Sequence, residues 1–408
     1  MVRRLASVLP VVEYAVVALV VLLTTRLAES GLSAAAVALS SRSGLEEWSM
    51  NKVTLVALAI CVATLGGTGT TVAAEPGAQQ LREPLYHYVG LDPALPAGFD
   101  FLDIPAAIND SRTVYVTGYK CGDAGCLPTI LKYRNGTMSS VHDGIAYSAN
   151  NDGTVGGSVL TDPDNSIEQA ALFADDGTVV LIPRRPGEST SHVRKVTNTG
   201  IALVESVNGT TGRIRFYLYL PGKRVLPLRL GKHQILDLDV NDRGIVGGTI
   251  APVGPENDRA FRYNPLSNVR RLLDPQSTEQ DSWGMAINSR GEVLGYSFIS
   301  GGRERIGSWR GKEFRVSFTE GTPRFPTVSN SLLWNDRNLI VITNTDDLSS
   351  YIVTSRGVRK NLANLSDNFH SWTSITDVNE CGDLIGVGGT SRNVVEHSFI
   401  LERRSCLS

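Results

Sequence analysis

From Leu85 onward the apolar residues fall into short strand-like runs parted by turn-forming Asn, Asp, Gly and Pro, and no stretch after residue 75 holds a helical period. The plainest case is Leu238–Gly248, which reads Leu-Asp-Val-Asn-Asp-Arg-Gly-Ile-Val-Gly-Gly. Val240 ends one strand, and Asn241 and Asp242 are suited to bond their own backbone and open a turn. Gly244 supplies the positive φ that closes it, and Ile245-Val246 begin the return strand. The pattern predicts a β-hairpin.

The same phrase recurs along the chain. Ala286–Gly295 and Asp377–Gly386 match it closely, Asn150–Gly157 matches its second half, and weaker copies lie at Asn109, Thr197 and Asn335. With the Asn position as marker, the copies stand at 109, 150, 197, 241, 288, 335 and 379, in steps of 41, 47, 44, 47, 47 and 44. Steps of that size mark propeller blades and similar arrays. Thr197 replaces the marker Asn, and Arg112 and Asn338 stand where the closing glycine should be. Asn tolerates the left-handed conformation but Arg adopts it at a cost, so the first turn is expected to have a different geometry.

Each hairpin is followed by two more strand-like segments, such as Arg259–Tyr263 and Val269–Leu273 in the fourth copy and Ala170–Phe173 and Val179–Ile182 in the second. Four strands in about 45 residues make one blade. The expected fold is therefore an all-β, seven-bladed β-propeller of four-stranded blades, spanning residues 84–408. The last copy ends on its third strand at His397–Leu401, whereas an unmatched strand, Leu85–Leu91, precedes the first hairpin. The N-terminal strand is thus expected to complete the last blade and close the ring.

The phrase Ile/Val-Asn-x-x-Gly-x-Val-x-Gly, followed by a His-Ala-Phe-like strand and then Gly-x-Val-x-x-Leu, resembles the HAF-family extracellular repeat. The naming tripeptide stands as Gln169-Ala170-Ala171, Arg259-Ala260-Phe261 and His397-Ser398-Phe399, and the last of these keeps both His and Phe. The resemblance covers about Leu85 to Glu402. It implies export and a propeller-like fold, and brings no catalytic residues.

The first 83 residues are of another kind. An apolar run from Val8 to Leu23, broken by Pro10 and Glu13, is followed at Met50 by what reads as a second beginning. Asn51-Lys52, the apolar Val53–Leu65 and the small-residue site Val72-Ala73-Ala74 make residues 50–74 a secretory signal peptide. Residues 1–49 then read as an upstream extension that is not native, and 75–83 as a flexible mature N-terminus. Neither apolar run has the roughly 20 residues of a membrane helix, so membrane contact is expected only if the N-terminal segment is retained.

Export changes how the cysteines are read. Loss of Cys61 with the signal leaves Cys121, Cys126, Cys381 and Cys406, an even set that favours disulfides over a zinc site, which would want two close Cys pairs. Cys121 and Cys126 flank the flexible Gly122–Gly125, and Cys406 lies just past the strand that follows Cys381's hairpin, so these two pairings are expected.

Candidate chemistry is sparse. The chain of 408 residues is 42% hydrophobic and 20% charged, with a formal charge of -2 and no basic cluster, which argues against nucleic acid as a partner. The six His are scattered, and no metalloprotease, nucleophile-elbow, Walker or dinucleotide motif occurs. Asp162-Pro163-Asp164-Asn165 lacks the Gly and distal Glu of a calcium loop, so no metal and no cofactor are expected. Asp110, Asp152, Asp242 and Asp336 recur through the hairpins and read as turn chemistry. No one-off set of Asp, Glu, His and Tyr stands out as a catalytic centre. The expectation is a binding propeller, secreted, periplasmic or in the cell envelope, for carbohydrate, peptide or protein; the alternative is a propeller hydrolase or lyase acting on an extracellular polymer.

The binding face should be the one where loops enter the first strands and join second to third strands. His142, Trp283, His370 and Trp372 stand in or near entering loops, with Asp258 and Arg303 in second-to-third loops. A competing role for Trp283 and Trp372 is to seal the ends between blades.

Overall fold

The computed structural model describes residues 85–123, 125–162, 167–231, 233–251, 257–273, 279–299, 303–319, 331–344, 349–353, 358–366, 372–389 and 397–406. The expected signal segment and upstream extension, and most of the calcium-loop-like run, lie outside them. Among the described residues no helix is long and apolar enough to cross a membrane.

Seven antiparallel sheets form seven blades in a ring. After β1 (Tyr86–Gly90), blade 1 holds β2 (Phe101–Leu102), β3 (Ala107–Ile108), β4 (Val114–Gly122), β5 (Gly125–Arg134) and β6 (Thr137–Asp143). Its innermost edge is split, since β2 and β3 both pair with β4. Blade 2 is β7 (Ile145–Ala149), β8 (Val155–Asp162), β9 (Ile167–Phe173) and β10 (Val179–Leu181). Blade 3 is β11 (Glu188–Val196), β12 (Ala202–Asn208), β13 (Ile214–Leu220) and β14 (Arg224–Pro227). Blade 4 is β15 (Gln234–Val240), β16 (Val246–Ala251), β17 (Arg259–Asn264) and β18 (Val269–Leu272). Blade 5 is β19 (Glu279–Ile287), β20 (Val293–Ile299), β21 (Arg303–Arg310) and β22 (Glu313–Thr319). Blade 6 is β23 (Ser331–Trp334), β24 (Ile340–Asn344), β25 (Ser349–Val353) and β26 (Arg359–Asn361). Blade 7 is β27 (Trp372–Val378), β28 (Leu384–Gly389) and β29 (His397–Arg403), and β1 supplies its fourth strand, with Tyr86 opposite Arg403 and Gly90 opposite Phe399.

The core is distributed between blades, because a single sheet cannot bury both faces alone. Between blades 3 and 4, for example, Leu203, Phe216 and Leu218 pack against Val240, Val246 and Phe261. Blades 7 and 1 meet in the same way, with Ile385 and Ile400 against Ile108, Val114 and Leu131. Tyr86 of β1 is wholly buried in the cluster between blades 6 and 7.

The repeated phrase is explained by close backbone approach as well as by the turn. A Cβ on Gly157, Gly248, Gly295 or Gly386 would fall on the carbonyl oxygen of Ile145, Asp237, Trp283 or Ser374 in the innermost strand. This is the last glycine of the Val-x-Gly motif, and no larger residue fits beside that carbonyl.

All seven marker turns share one pair of backbone bonds, illustrated by Asn241 N–H to Ile245 O at 3.1 Å and Gly244 N–H to Asn241 O at 2.8 Å. The Asn241 side-chain oxygen accepts from the amides of Arg243 and Ile245, while its Nδ2 donates to Asn288 O of the next blade at 2.8 Å. An amide suits the place because one end holds its own turn and the other the neighbour, as Asn150, Asn335 and Asn379 also do; Thr197 closes its turn through its hydroxyl alone.

One expectation about these turns is corrected. Arg112 does not give the first turn a different geometry. Its φ is 58°, and its N–H donates to Asn109 O at 3.0 Å as Gly244's does to Asn241. The conformational cost is offset by the guanidinium, whose Nε donates to the fully buried Asp383 at 3.0 Å and whose Nη2 donates to Arg403 O at 2.9 Å. Asp110, Asp242 and Asp336, for their part, serve a neighbouring turn: their Oδ1 atoms accept from the backbone N–H of Glu380, Asn198 and Ser289, each at 2.8 Å.

Both expected disulfides are present. Cys121–Cys126 crosses the β4–β5 hairpin, and Cys381–Cys406 ties the seventh turn to the segment after β29. With sequence separations of 25 and 5, loop entropy assigns about 3 kcal/mol to the second bridge and about 2 kcal/mol to the first. Denaturant titration of the two double-serine variants is expected to rank them in that order; a larger loss from the hairpin bridge would contradict it.

Candidate functional site

The innermost strands surround a central channel with a cavity of about 370 Å³. The Asn turns form one rim, the turn face; the loops into the innermost strands lie at the opposite end, the loop face. In blades 2, 3, 5 and 7 a β-bulge falls three residues before the marker, at Tyr147, Arg194, Met285 and Thr376, and all four residues line the channel. Ala106, Leu238 and Leu332 occupy that position in blades 1, 4 and 6.

Blades 2, 3 and 4 join Tyr147 and Arg194 to a polar network. Tyr147 Oη donates to Glu168 Oε2 at 3.2 Å, and Ser158 Oγ donates to the same oxygen at 2.7 Å. The His192 ring lies 4.7 Å from that of Tyr147, and its Nε2 is 3.9 Å from Glu205 Oε2, in register across the β11–β12 pair. Arg194 donates to Glu205 at 3.1 Å and reaches Asp237 Oδ1 at 3.8 Å.

Burial lowers the His192 pKa against the opposing pull of Glu205 and Glu168, so the imidazole is neutral near pH 7. Burial and then the Glu168 charge raise the Tyr147 phenol, which stays protonated as a donor. Burial likewise pushes Asp237 up to about 6, with Arg194 and the Leu238 N–H acting against it. The network offers a ligand one cation, one phenol, one neutral imidazole and several acceptor oxygens.

Further along the channel, Lys195 Nζ contacts Asp239 Oδ1 at 2.5 Å. Burial pulls the Lys195 pKa down, but Asp239 outweighs it and the net shift is upward. Asp239 also accepts from the Val240 and Ile287 amides, each at 2.9 Å or less. Asp377, at the matching position of blade 7, accepts from the Ile108 amide at 2.9 Å. Its pKa is pushed up to about 6, chiefly by burial, with the Ile108 and Val378 amides and Lys195 opposing.

A raised carboxyl pKa favours the protonated folded form. The stability it contributes is therefore complete below the ordinary aspartate value of about 3.9 and lost as pH rises through about 6. Carboxyl carbon resonances of Asp237 and Asp377 are expected to titrate with midpoints about two pH units above that ordinary value; midpoints near 4 would contradict the burial account.

No protein-family model and no curated protein sequence matches the chain. Among solved structures, the β-propeller domain of the Trilobed protease from Pyrococcus furiosus is similar with a TM-score of 0.51 and 12% identity, over 75% of this chain and 94% of that one. An acylaminoacyl peptidase from Pyrococcus horikoshii gives a TM-score of 0.51 and 12% identity, over 78% of this chain and 54% of that one. What is shared is the propeller fold. The first of these propellers is described as having an open velcro topology, whereas here β1 is hydrogen-bonded to β29.

The residues singled out from sequence fall at separate places. His142 ends β6, with Nδ1 2.8 Å from Asp143 O and its ring 5.4 Å from Phe173. Trp283 packs at the blade 5–6 cluster, 6.1 Å from Phe298, and bonds Asp258, whose pKa is raised mainly by burial and by Asp281. These contacts suit sealing between blades. Arg303 opens β21 and Trp372 opens β27, while His370 lies outside the described residues, as do the side chains of Arg303 and Trp372.

A one-off set does exist, contrary to the sequence expectation: Tyr147, Glu168, His192, Arg194, Glu205 and Asp237. Its signal was the two polar residues, Tyr147 and Arg194, at a repeat position held elsewhere by Ala, Leu, Met or Thr. Its carboxylates come from second and third strands and from a different offset, so the marker alone does not align them.

Proposed function

We propose that the chain is an exported binding propeller of the HAF-repeat kind, which takes an extracellular carbohydrate, peptide or protein at the loop-face mouth of its channel. The observation that carries this reading is the Tyr147–Glu168 and His192–Glu205–Arg194–Asp237 network, which gathers a phenol, an imidazole, a guanidinium and three carboxylates in blades 2 to 4. Tyr147 and Arg194 line the channel, where a ligand can meet them. Carboxylates accept sugar hydroxyls or peptide amides, and the paired Tyr147 and His192 rings give apolar area beside them.

The two disulfides agree with an oxidising compartment. Export through the 50–74 signal gives a mature chain starting at Glu75, which amino-terminal sequencing of secreted protein checks. A second reading, hydrolase or lyase, draws on one observation: a neutral His192 beside Glu205 and Tyr147 is a set suited to proton transfer.

Glycan and peptide arrays probed with wild-type protein and with Arg194→Gln and Tyr147→Phe variants test the proposal. The expected result is a wild-type hit weakened about tenfold or more in both variants, equivalent to about 1.4 kcal/mol, with melting temperatures nearly unchanged. Hits that persist in both variants would remove the mouth from the site, and polymer turnover abolished by His192→Gln would replace binding with catalysis.

A further inference from the structure

Two aspartates occupy equivalent places in the ring, two residues before the marker in blades 4 and 7. Each bridges its own blade to the next: Asp239 accepts from the Ile287 amide and Asp377 from the Ile108 amide, both at 2.9 Å. Each also takes the amide of the following residue, Val240 or Val378. They differ in one respect. Asp239 carries the Lys195 ammonium, whereas among the described residues no cation forms an ion pair with Asp377, although Lys195 acts on it from within the channel.

We propose that Asp377 holds the ammonium of an amine-bearing ligand inside the channel, in the relation that Lys195 Nζ has to Asp239. This deepens the reading of the channel as the binding site and rests on it. The protein supplies its own template for the contact: the same carboxylate, with the same two backbone donors, is satisfied elsewhere in the cavity by a primary ammonium. Asp377 is part-exposed on the channel wall, where the attraction between a carboxylate and a cation is stronger than in bulk water.

The ligand class follows from the same geometry. Calcium takes six or more oxygens, but at Asp377 one carboxylate stands with its oxygens already turned to two amides, and no metal-holding group of acids occurs among the described residues. An ammonium needs one strong acceptor and room for its stem, which the channel wall at Leu333 and Trp334 of the adjoining blade provides. The ligand is then an amino sugar, a lysine-like side chain or a peptide amino terminus.

Internal symmetry also supplies the test variant. In blade 2 the equivalent position is Ser148, whose Oγ accepts the Val196 amide at 2.9 Å, so a serine can bridge two blades without a charge. Asp377→Ser therefore removes the carboxylate while keeping the bridge. Full-length protein is titrated with n-butylamine at neutral pH and, separately, with n-butanol, and the amide resonances of Ile108 and Val378 are followed.

The inference expects saturable shifts of both amides with butylammonium, at least tenfold weaker effects with butanol, and no saturable response in Asp377→Ser. Equal responses to both probes, retention of the butylammonium response in Asp377→Ser, or an equal response to calcium chloride would overturn it. Failure of the broader reading looks different: array hits would be unaffected by Arg194→Gln and Tyr147→Phe, whatever butylamine does at Asp377.

Discussion

Asp383→Ala is expected to lower the unfolding free energy by about 3–5 kcal/mol, the range for removing one partner of a buried ion pair. Asp383 is fully buried, and three groups converge on it: the Arg403 amide at 2.7 Å, Asn379 Nδ2 at 2.9 Å and Arg112 Nε at 3.0 Å. They come from the last strand, the seventh turn and the first turn, so one carboxylate joins blade 7 to blade 1. Its loss also removes what holds Arg112 at φ 58°. Replacing Arg112 with glycine, which accepts that conformation freely, relieves part of the penalty. Chemical denaturation of the four proteins in that double-mutant cycle checks the account. A small effect of Asp383→Ala alone, or full additivity with Arg112→Gly, would show that the junction does not depend on this pair.

The second large effect is Gly295→Ala, a change of one methyl group. Its Cβ would fall on the Trp283 carbonyl, a backbone atom that cannot step aside without separating β19 from β20. The expected loss is about 3 kcal/mol or more, in the range of exceptional single substitutions, and poor recovery of soluble protein is expected with it. Gly122→Ala is the control. Nothing lies within 4 Å of its added Cβ, and about 0.5 kcal/mol or less is expected there. Thermal melts of the two variants decide; equal melting temperatures would refute the close-approach explanation of the repeat.

The fold was legible because the motif has local causes. The turn, fixed by Asn or Thr at the marker and a residue at positive φ after it, recurs seven times, and in four copies a glycine fixes the close approach of the second strand. The step between markers then fixes four strands per blade. The Arg112 turn was misjudged because its compensation, Asp383, lies 271 residues away in sequence. The hairpin aspartates are turn chemistry as their repetition suggested, but the turn they serve is a neighbour's, which a short acid after Asn does not reveal.

The site was less legible than the fold. Large aromatic residues drew notice, and Trp283 proves to pack between blades. The polar network is assembled from five strands of three blades, and its members are ordinary residues in sequence: Glu168 opposite Leu160, Glu205 opposite His192, and Asp237 next to Leu238. What sets them apart is convergence on Tyr147 and Arg194, the two members that line the channel, which depends on the ring having formed. Asp377 is harder still to read, since it differs from Asp239 only by a lysine that lies in the preceding blade, 44 residues from the latter.

The most direct test of the central claim, that the loop-face mouth of the channel is the ligand site, is a crystal structure of the protein with the strongest hit from the arrays. The account predicts ligand density against Tyr147, His192 and Arg194, continuing toward Asp377 when the ligand carries an amine. Density seated on the turn face beside Asp110, Asp242 and Asp336, with the mouth filled only by water, would contradict it.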